Sequence, residues 1–158
     1  MVTVVAPLVK TIVLRYNRCM KRITPSEYQA MAELRYRVRL FLREGDAAAR
    51  SAGLEPQQYL LMLAIRGMPD GASAKIQSLA DSLLIRHHSA VELVDRLEKH
   101  GYVRRGRGRE DRREVLVSLL PKGQRMLERV VQQRISEVRA GGRQLLRAID
   151  AVLSNGKR

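Results

Sequence analysis

Basic side chains are concentrated in the middle of this chain, between residues 96 and 113. The segment carries eight Arg or Lys against three acids, which leaves a net charge of +5. Such a density of positive charge on a short segment indicates a surface that contacts the phosphates of a nucleic acid. The candidate phosphate contacts toward its C-terminal end are Arg105, Arg107, Arg109, Arg112 and Arg113.

The elements predicted around this segment explain how it is held. Helices are predicted over Lys75–Leu83 and Arg86–His100, and short strands over Tyr102–Arg105 and Glu114–Leu119, joined by a glycine-containing tip. Two short helices, a tight connection and a hairpin, in that order, form a winged helix-turn-helix. This arrangement places its second helix in a DNA major groove and its hairpin along the backbone. The sequence therefore predicts a mainly α protein with a small β-hairpin wing.

The N-terminal end of the second helix carries the candidate base-reading residues, because recognition helices contact base edges there. These residues are Arg86, His87, His88, Ser89 and Glu92. Arg86 can offer a bidentate donor to guanine, and Ser89 can bond a base or a phosphate. Glu92 can accept from a cytosine amine, but an ion pair with Arg96 one turn along is the favoured interpretation. The opposite, apolar face is predicted to be core and comprises Ala90, Leu93, Val94 and Leu97.

His87 and His88 invite a metal-binding interpretation, but their spacing argues against it. Adjacent helical residues point about 100° apart, so the two imidazoles cannot ligate one ion from a regular helix. We expect both to donate to phosphates or base edges. The sequence also lacks a nucleophile with a partnered base and a phosphate-binding glycine loop, so we expect no enzyme, no metal and no cofactor.

Composition narrows the class of partner further. Thirty basic residues against sixteen acids give a net charge of +14, which predicts a polyanionic partner. The chain has no Trp and one Phe, whereas single-stranded nucleic acids are usually bound by stacking on aromatic rings, so duplex DNA is favoured. Cys19 is the only cysteine, which suits a reducing compartment. The apolar N-terminal stretch is too short to span a bilayer, so we expect a soluble, cytoplasmic protein without membrane contact.

Apolar stripes at helical spacing flank the winged region on both sides. The first helix is predicted to start at a capping box formed by Ser26 and Gln29, with Thr24 as a competing cap. The last long helix is predicted to break at Gly141 and Gly142. A second copy of the chain is the simplest cover for these stripes, which predicts a homodimer. The alternative is that these helices pack on the winged region of their own chain.

Three stretches in combination resemble the MarR family of bacterial transcriptional regulators. They lie within Leu54–Gly123 and read LEPQQYLLML, LADSLLIRHHSAVELVDRLEKHGYV and EDRREVLVSLLPKG. The resemblance implies a two-fold dimer on a pseudo-palindromic operator, repression of nearby genes, and release by a small ligand, an oxidant or a metal. We therefore expect dimerisation helices at 25–53 and 121–154, a winged helix-turn-helix at 54–120 and a tail at 155–158. The basic extension at 1–24 is open to two interpretations, an arm that contacts DNA or a poorly ordered tail.

The resemblance also implies roles for single residues. In the family, the counterpart of Asp111 holds a wing arginine by an ion pair, which implies an orienting role toward Arg112 or Arg113. Some members sense peroxide through an early cysteine, so Cys19 is a candidate redox sensor, although a spectator thiol is the simpler interpretation. A pocket between the dimerisation helices and the winged region is the common effector site. Its expected lining includes Tyr36, Met62 and Met68.

Three positions depart from the family pattern. Leu84 stands where the turn often carries Gly, and we expect it to adopt a helical or extended conformation. Arg86 occupies the capping slot of the recognition helix, where the loss of a Ser or Thr cap costs about 1 kcal/mol. Leu120 replaces the usual Thr before the long helix, which leaves Ser118 or a start at Pro121 to compensate.

Two other functions stay open on the sequence alone. A net charge of +14 would also suit an architectural protein that binds DNA without sequence preference. A winged helix can also bind an acidic protein through its basic wing. Sequence specificity separates a regulator from the first alternative, and duplex binding at physiological salt separates it from the second.

Overall fold

The computed structural model describes residues 22–69, 74–108 and 114–155. Its helices are α1 (Pro25–Ser51), α2 (Pro56–Arg66), α3 (Ile76–Leu83), α4 (His87–Lys99) and α5 (Pro121–Asn155), and its strands are β1 (Val103–Arg107) and β2 (Val115–Leu119). The predicted mainly α fold with a hairpin wing is therefore confirmed.

The core of the winged region lies where α2, α3 and α4 meet. Buried side chains of all three helices, with one from each strand and others from α1 and α5, form a single cluster around fully buried Leu61 and Met62. Complete burial of a Leu or Met side chain stabilises the fold by about 1.5–3 kcal/mol relative to exposure. This packing fixes α4 against α3, so the outer face of α4 is held in a defined orientation.

The turn between α3 and α4 has an unexpected backbone conformation. Leu84 is left-handed, with φ 56° and ψ 39°, and its side chain is 93% exposed. The expectation of a helical or extended turn is therefore wrong. Two backbone bonds hold the conformation, from Leu84 N–H to the Asp81 carbonyl and from Ile85 N–H to the Ala80 carbonyl. A left-handed backbone costs a residue with a Cβ about 1–2 kcal/mol.

The wing is an antiparallel hairpin docked against the start of α3. β1 and β2 pair from Val103 with Leu119 to Arg107 with Val115. The strand pairing therefore includes Arg107, which the sequence assigned to the tip. The Val117 N–H donates to the Ala74 carbonyl over 2.9 Å, which joins β2 to the chain entering α3.

A close seam joins the wing to the start of α5. A Cβ at Gly123 would lie 2.1 Å from the Tyr102 carbonyl oxygen, so only glycine fits there. The Leu120 N–H donates to that same carbonyl over 2.9 Å, and α5 starts at Pro121, one of the two predicted compensations for the missing Thr. The Lys122 ammonium donates to the His100 carbonyl over 2.8 Å and lies 4.9 Å from the centre of the Tyr102 ring.

The terminal helices α1 and α5 pack against each other, and each differs from its prediction in one respect. α1 is capped by Thr24, whose capping box partner is Glu27, rather than by Ser26 with Gln29. α5 runs without a break through Gly141 and Gly142. The predicted break is wrong because contacts with α1 offset the roughly 1 kcal/mol that each helical Gly costs relative to Ala.

A buried arginine fastens the middle of this helix pair. Arg134 of α5 is 7% exposed, and its guanidinium donates to the Phe41 carbonyl over 3.2 Å and lies 4.9 Å from the centre of the Phe41 ring. Glu137 supplies an ion pair one turn along. The charge is therefore buried with hydrogen-bonding partners, as a stable fold requires.

Large apolar side chains nevertheless stay exposed on both terminal helices. The exposed set comprises Tyr28, Met31, Tyr36, Phe41 and Leu42 of α1 and Ile135, Val138, Leu146, Ile149 and Leu153 of α5. Leu146 is 60% exposed and Leu153 is 65% exposed. None of the helices in the described part of the chain combines the length and the apolar character needed to cross a membrane.

Candidate DNA-binding surface

Helix α4 has one buried and one exposed face, as the sequence predicts. Its buried residues are the four predicted ones, Ala90, Leu93, Val94 and Leu97. Among the candidate base-reading residues, Ser89 is half-buried and the other four are exposed. Because the buried face packs on α2 and α3, the polar N-terminal end of α4 is presented to solvent as a rigid unit.

Arg86 occupies the N-cap of α4 without capping it. Its backbone is extended, with φ −73° and ψ 151°, and its side chain accepts no bond from the helix. No described residue pairs with its guanidinium, which is exposed. The cap position therefore presents a cation at a helix N-terminus, which suits an external acceptor such as guanine or a phosphate.

His87 is tied to helix α3, whereas His88 is not. The His87 Nδ1 lies 3.1 Å from the Gln77 Oε1, and the Gln77 Nε2 donates to the Asp81 carboxylate over 2.8 Å. Within the described residues, no hydrogen bond to the ring of His88 is present. Sequence reasoning missed Gln77, because its contact with α4 depends on how the two helices cross.

The predicted ion pair between Glu92 and Arg96 does not form. The Arg96 Nε instead donates to the backbone carbonyl of Glu92 over 3.4 Å. Both residues and Ser89 line an open groove shared with Arg50 of α1 and Gln57 of α2. The Glu92 carboxylate is therefore available to accept from a base amine or from a neighbouring cation across the groove.

Arg105 is directed back toward α4 and not toward solvent. Its guanidinium pairs with Asp95 over 2.5 Å and with Glu98 over 2.6 Å, and its backbone N–H donates to Glu98 over 2.8 Å. A third guanidinium bond reaches the Val91 carbonyl over 3.3 Å. Both terminal nitrogens of the Arg105 guanidinium are thus engaged within the protein, so its geometry favours a brace between the wing and α4 over the predicted DNA contact.

This brace perturbs the titration of Glu98. The pKa of Glu98 is lowered from its ordinary value, first by the hydrogen bond from the Arg105 backbone N–H and then by the bond from the guanidinium. Both bonds favour the ionised carboxylate. The brace is therefore formed at neutral pH and depends on the negative charge of Glu98.

Among the remaining basic residues of the wing, some lie within the residues that the structure describes and others lie outside them. Arg107 is exposed near the tip of β1, and Arg104 is exposed with its Nε 3.3 Å from the Ser118 hydroxyl. Lys75 forms an ion pair with Glu114 at the base of the tip. The assignments to Cys19, Arg109, Asp111, Arg112 and Arg113, and to most of the 1–24 extension, lie outside the described residues.

No metal site accompanies this surface in the part of the chain that the structure describes. Within residues 22–69, 74–108 and 114–155, no three or more His, Cys, Asp and Glu side chains are grouped to hold an ion. The geometry there combines a rigid polar helix end with a braced basic hairpin. Such a surface can contact base edges and phosphates of a duplex.

Comparison with known sequences points to one family. The MarR family model matches residues 52–114, which begin directly after α1 and include α2, α3, α4 and β1. The curated relative YsmB of Bacillus subtilis strain 168, described as an uncharacterized HTH-type transcriptional regulator, is 25% identical over 112 residues. That match covers 70% of this chain and 75% of YsmB.

Comparison with solved structures shows the same fold. AbsC, a MarR family transcriptional regulator from Streptomyces coelicolor, matches with a TM-score of 0.66 and 20% identity over 77% of this chain and 81% of its own. The repressor CouR bound to a 23-mer DNA duplex matches with a TM-score of 0.58 and 23% identity over 78% of this chain and 88% of its own.

CouR from Rhodococcus jostii RHA1 has also been solved bound to p-coumaroyl-CoA. This structure matches with a TM-score of 0.58 and 22% identity over 66% of this chain and 72% of its own. The winged fold, the family model and the curated relative agree with one another. The family model over residues 52–114 and the curated relative together support a winged-helix regulator of the MarR family.

Proposed function

We propose that this protein is a homodimeric repressor that reads a pseudo-palindromic operator in duplex DNA and is released by a small ligand. The observation that carries the proposal is the rigid presentation of the α4 N-terminus beside a wing braced by Arg105. In such a pair, α4 enters a major groove and the wing follows the flanking backbone or minor groove. Two copies related by a two-fold axis would read two half-sites about 10 base pairs apart.

The candidate DNA-contacting residues differ in the kind of contact that each can make. Arg86, with its uncommitted guanidinium, is suited to a bidentate bond with guanine, and Glu92 is suited to accept from cytosine. Ser89 and His88 supply shorter polar contacts to bases or phosphates. Arg107, together with Arg109, Arg112 and Arg113 beyond the described part of the wing, supplies phosphate or minor-groove contacts. Asp111 orients one of these arginines.

Homodimer formation is supported by the uncovered apolar faces of α1 and α5. An apolar stripe on a helix has to be covered, and these stripes continue to the ends of the terminal helices, away from the winged core. A two-fold pair would cover both stripes at once, because each helix can pack on its symmetry mate. We assign residues 25–53 and 121–154 to this dimerisation region.

A cavity between α2 and α5 supports release by a small ligand. It has a volume of about 230 Å³ and is lined by apolar Leu63, Leu127 and Val131 together with the charged residues Arg66 and Glu128. The predicted lining differs from this one, because Met62 is fully buried in the core and Tyr36 is exposed on α1. A small organic molecule with an apolar body fits such a lining. A ligand wedged there would alter the angle between the dimerisation helices and the winged region.

Fluorescence anisotropy on labelled duplexes tests the function directly. The purified protein is titrated against the duplex upstream of its own gene and against a shuffled duplex of the same composition, at two salt concentrations. We expect the upstream duplex to bind about a thousandfold more tightly. Equal and steeply salt-dependent binding to both would favour an architectural protein, and the absence of duplex binding at physiological salt would favour a wing that binds protein.

Two variants and a control sharpen that titration. Arg86→Ala should reduce the preference for the operator, whereas Arg109→Ala should weaken both duplexes alike and lower the salt slope by about one. Arg139→Ala removes an equal charge from the exposed surface of α5 and should change neither quantity. Equal losses on both duplexes from Arg86→Ala and Arg109→Ala would contradict this division of roles.

A further inference from the structure

A line of three polar side chains crosses the helix-turn-helix from α3 to the first residue of α4. Asp81 and Gln77 lie one turn apart on α3, and the Gln77 Nε2 donates to the Asp81 carboxylate over 2.8 Å. The opposite end of the same amide, Oε1, faces the His87 Nδ1 at 3.1 Å. All three side chains are on the exposed side of the motif, next to the helix end assigned to base reading.

The carboxylate determines which way the Gln77 amide points. A carboxylate only accepts hydrogen bonds, so the amide NH₂ has to face Asp81 and the amide oxygen has to face His87. An amide oxygen also only accepts, so the His87 Nδ1 has to carry the proton of this bond. In the neutral imidazole the other nitrogen, Nε2, then has no proton and is an acceptor.

We propose that Gln77, positioned by Asp81, fixes the tautomer of His87 so that its Nε2 accepts a hydrogen bond from the exocyclic amine of adenine or cytosine at one position of each half-site. The inference deepens the proposed function and rests on it. It also revises the expectation that His87 donates to DNA. Gln77 is a positioning residue here, and His87 is the residue that contacts the base.

The groups that bases present in the major groove determine which bases an acceptor at the His87 Nε2 would select. Adenine and cytosine present an amine there, whereas guanine and thymine present a carbonyl oxygen at the corresponding place. An acceptor on the protein therefore selects adenine or cytosine on the contacted strand. The other tautomer, with its proton on Nε2, would select guanine or thymine. The Gln77 contact thus determines which pair of bases is preferred.

The tautomer is measured without DNA, by ¹⁵N NMR of the imidazole rings in mildly alkaline buffer, where imidazoles are neutral. The chain has three histidines, so each ring can be assigned. We expect His87 to carry its proton on Nδ1 in the wild type and to shift toward Nε2, the form favoured by a free imidazole in water, in Gln77→Ala. His88 serves as the internal reference and should not change.

A matched control tests whether the tautomer of His87 changes because its contact with Gln77 is lost, and not merely because an exposed glutamine has been removed from a helix. The Gln133 Nε2 donates to Glu137 one turn along over 2.8 Å, with the same spacing and distance as Gln77 and Asp81, but it lies on α5. Gln133→Ala should leave the His87 tautomer unchanged. A change in Gln77→Ala alone then reports the contact with His87.

The base preference is measured by selection of duplexes from a library that randomises each half-site. At one position we expect the wild type to favour adenine or cytosine over guanine or thymine about tenfold. His87→Ala should lose the preference at that position only, and Gln77→Ala should shift it toward guanine or thymine.

Three results would overturn the inference. A wild-type His87 with its proton on Nε2 would refute the tautomer assignment itself. A base preference that is lost in His87→Ala but unchanged in Gln77→Ala would show that His87 reads DNA without Gln77. An Nδ1 proton together with equal binding to all library members would refute base reading and the proposed operator function, while leaving the intramolecular contact intact.

Discussion

The winged region and the terminal helices bury their apolar residues in different ways. In the winged region, Leu61, Leu79, Val94 and Leu97 are completely buried by other parts of the same chain. On the outer half of α5, Leu146 and Leu153 are 60% and 65% exposed. The first region forms its core within one chain, whereas the second presents an apolar face that one chain does not cover.

The polar contacts also differ between the winged region and the terminal helices. Within the winged region, Arg105 joins the wing to α4, whereas Lys122 joins this region to α5 through the end of α4. In the terminal helices the buried Arg134 fastens the middle of α1 to α5. We infer that the winged region is held rigid by contacts within one chain, including buried residues of α1 and α5, and that the exposed apolar faces of α1 and α5 depend on a second chain.

The largest effect is expected from placing charges on the uncovered face. Leu146→Glu with Leu153→Glu should weaken the dimer by about a thousandfold or more, because each apolar contact contributes about 1.5–3 kcal/mol and each appears twice in a two-fold dimer. Sedimentation equilibrium measures the dissociation constant. Val115→Glu, at a wing residue that is 41% exposed, is the control and should leave it unchanged. A double variant that stays as dimeric as the wild type would place the interface elsewhere.

The next effect concerns the seam that joins the two regions. Gly123→Ala should lower the free energy of unfolding by about 3 kcal/mol, because the new Cβ would overlap the Tyr102 carbonyl oxygen. Denaturant unfolding gives the value. Gly141→Ala places the same methyl group where no atom lies within 4 Å, and should raise stability by about 1 kcal/mol through helix propensity. The account of the seam fails if the two variants behave alike.

A smaller effect is expected from the brace between the wing and α4. Arg105→Lys keeps the charge but cannot bond Asp95 and Glu98 with one planar group. It should therefore weaken binding to every duplex about tenfold, equivalent to roughly 1.4 kcal/mol, because the wing is held less firmly. Anisotropy with specific and shuffled duplexes measures this loss. Loss confined to the specific duplex would instead indicate that Arg105 reads bases.

The bonds between Arg105 and Glu98 also predict that the free energy of unfolding falls in acid. The pKa of Glu98 is lowered in the folded protein, so its ionised form stabilises the fold above the ordinary pKa of 4.5. This contribution should be lost as the pH falls below 4.5 and through the lowered pKa. Glu98→Gln should reduce stability at neutral pH, and the difference from the wild type should narrow in acid. A difference that is constant from neutral pH into acid would contradict the assignment.

The smallest effect concerns the turn between α3 and α4. Leu84→Asn should raise the free energy of unfolding by about 1 kcal/mol, because Asn tolerates the left-handed conformation and the Leu side chain is 93% exposed. Thermal unfolding detects the change. Leu83→Asn, one residue earlier in the partly buried last turn of α3, should have the opposite sign. Destabilisation by Leu84→Asn would show that the exposed leucine makes a stabilising contact.

The features that could be predicted from the sequence are those that depend on the spacing of apolar residues or on the type of a single residue. The buried face of α4 follows from apolar residues at helical spacing, and the empty cap at Arg86 follows from its residue type. Leu84 was missed because leucine rarely adopts a left-handed conformation, so nothing in its residue type indicates one. The continuity of α5 was missed because packing against α1 outweighs the low helix propensity of Gly141 and Gly142.

The roles of single polar residues depended more strongly on tertiary structure. Arg105 lies in a basic segment and was assigned to DNA because its acceptors, Asp95 and Glu98, lie on another element. Gln77 was overlooked because its contact with His87 exists only at the crossing of α3 and α4. Charge indicated the kind of partner, and the structure distinguished the side chains that are free to bind it from those that hold the protein together.

Native mass spectrometry of the protein with its preferred duplex tests the central claim most directly. We predict two chains on one duplex for the wild type, and a single chain on a half-site, with greatly reduced affinity, for Leu146→Glu with Leu153→Glu. A single wild-type chain bound with full affinity and specificity would contradict the account, because the uncovered faces of α1 and α5 would then play no part in reading DNA.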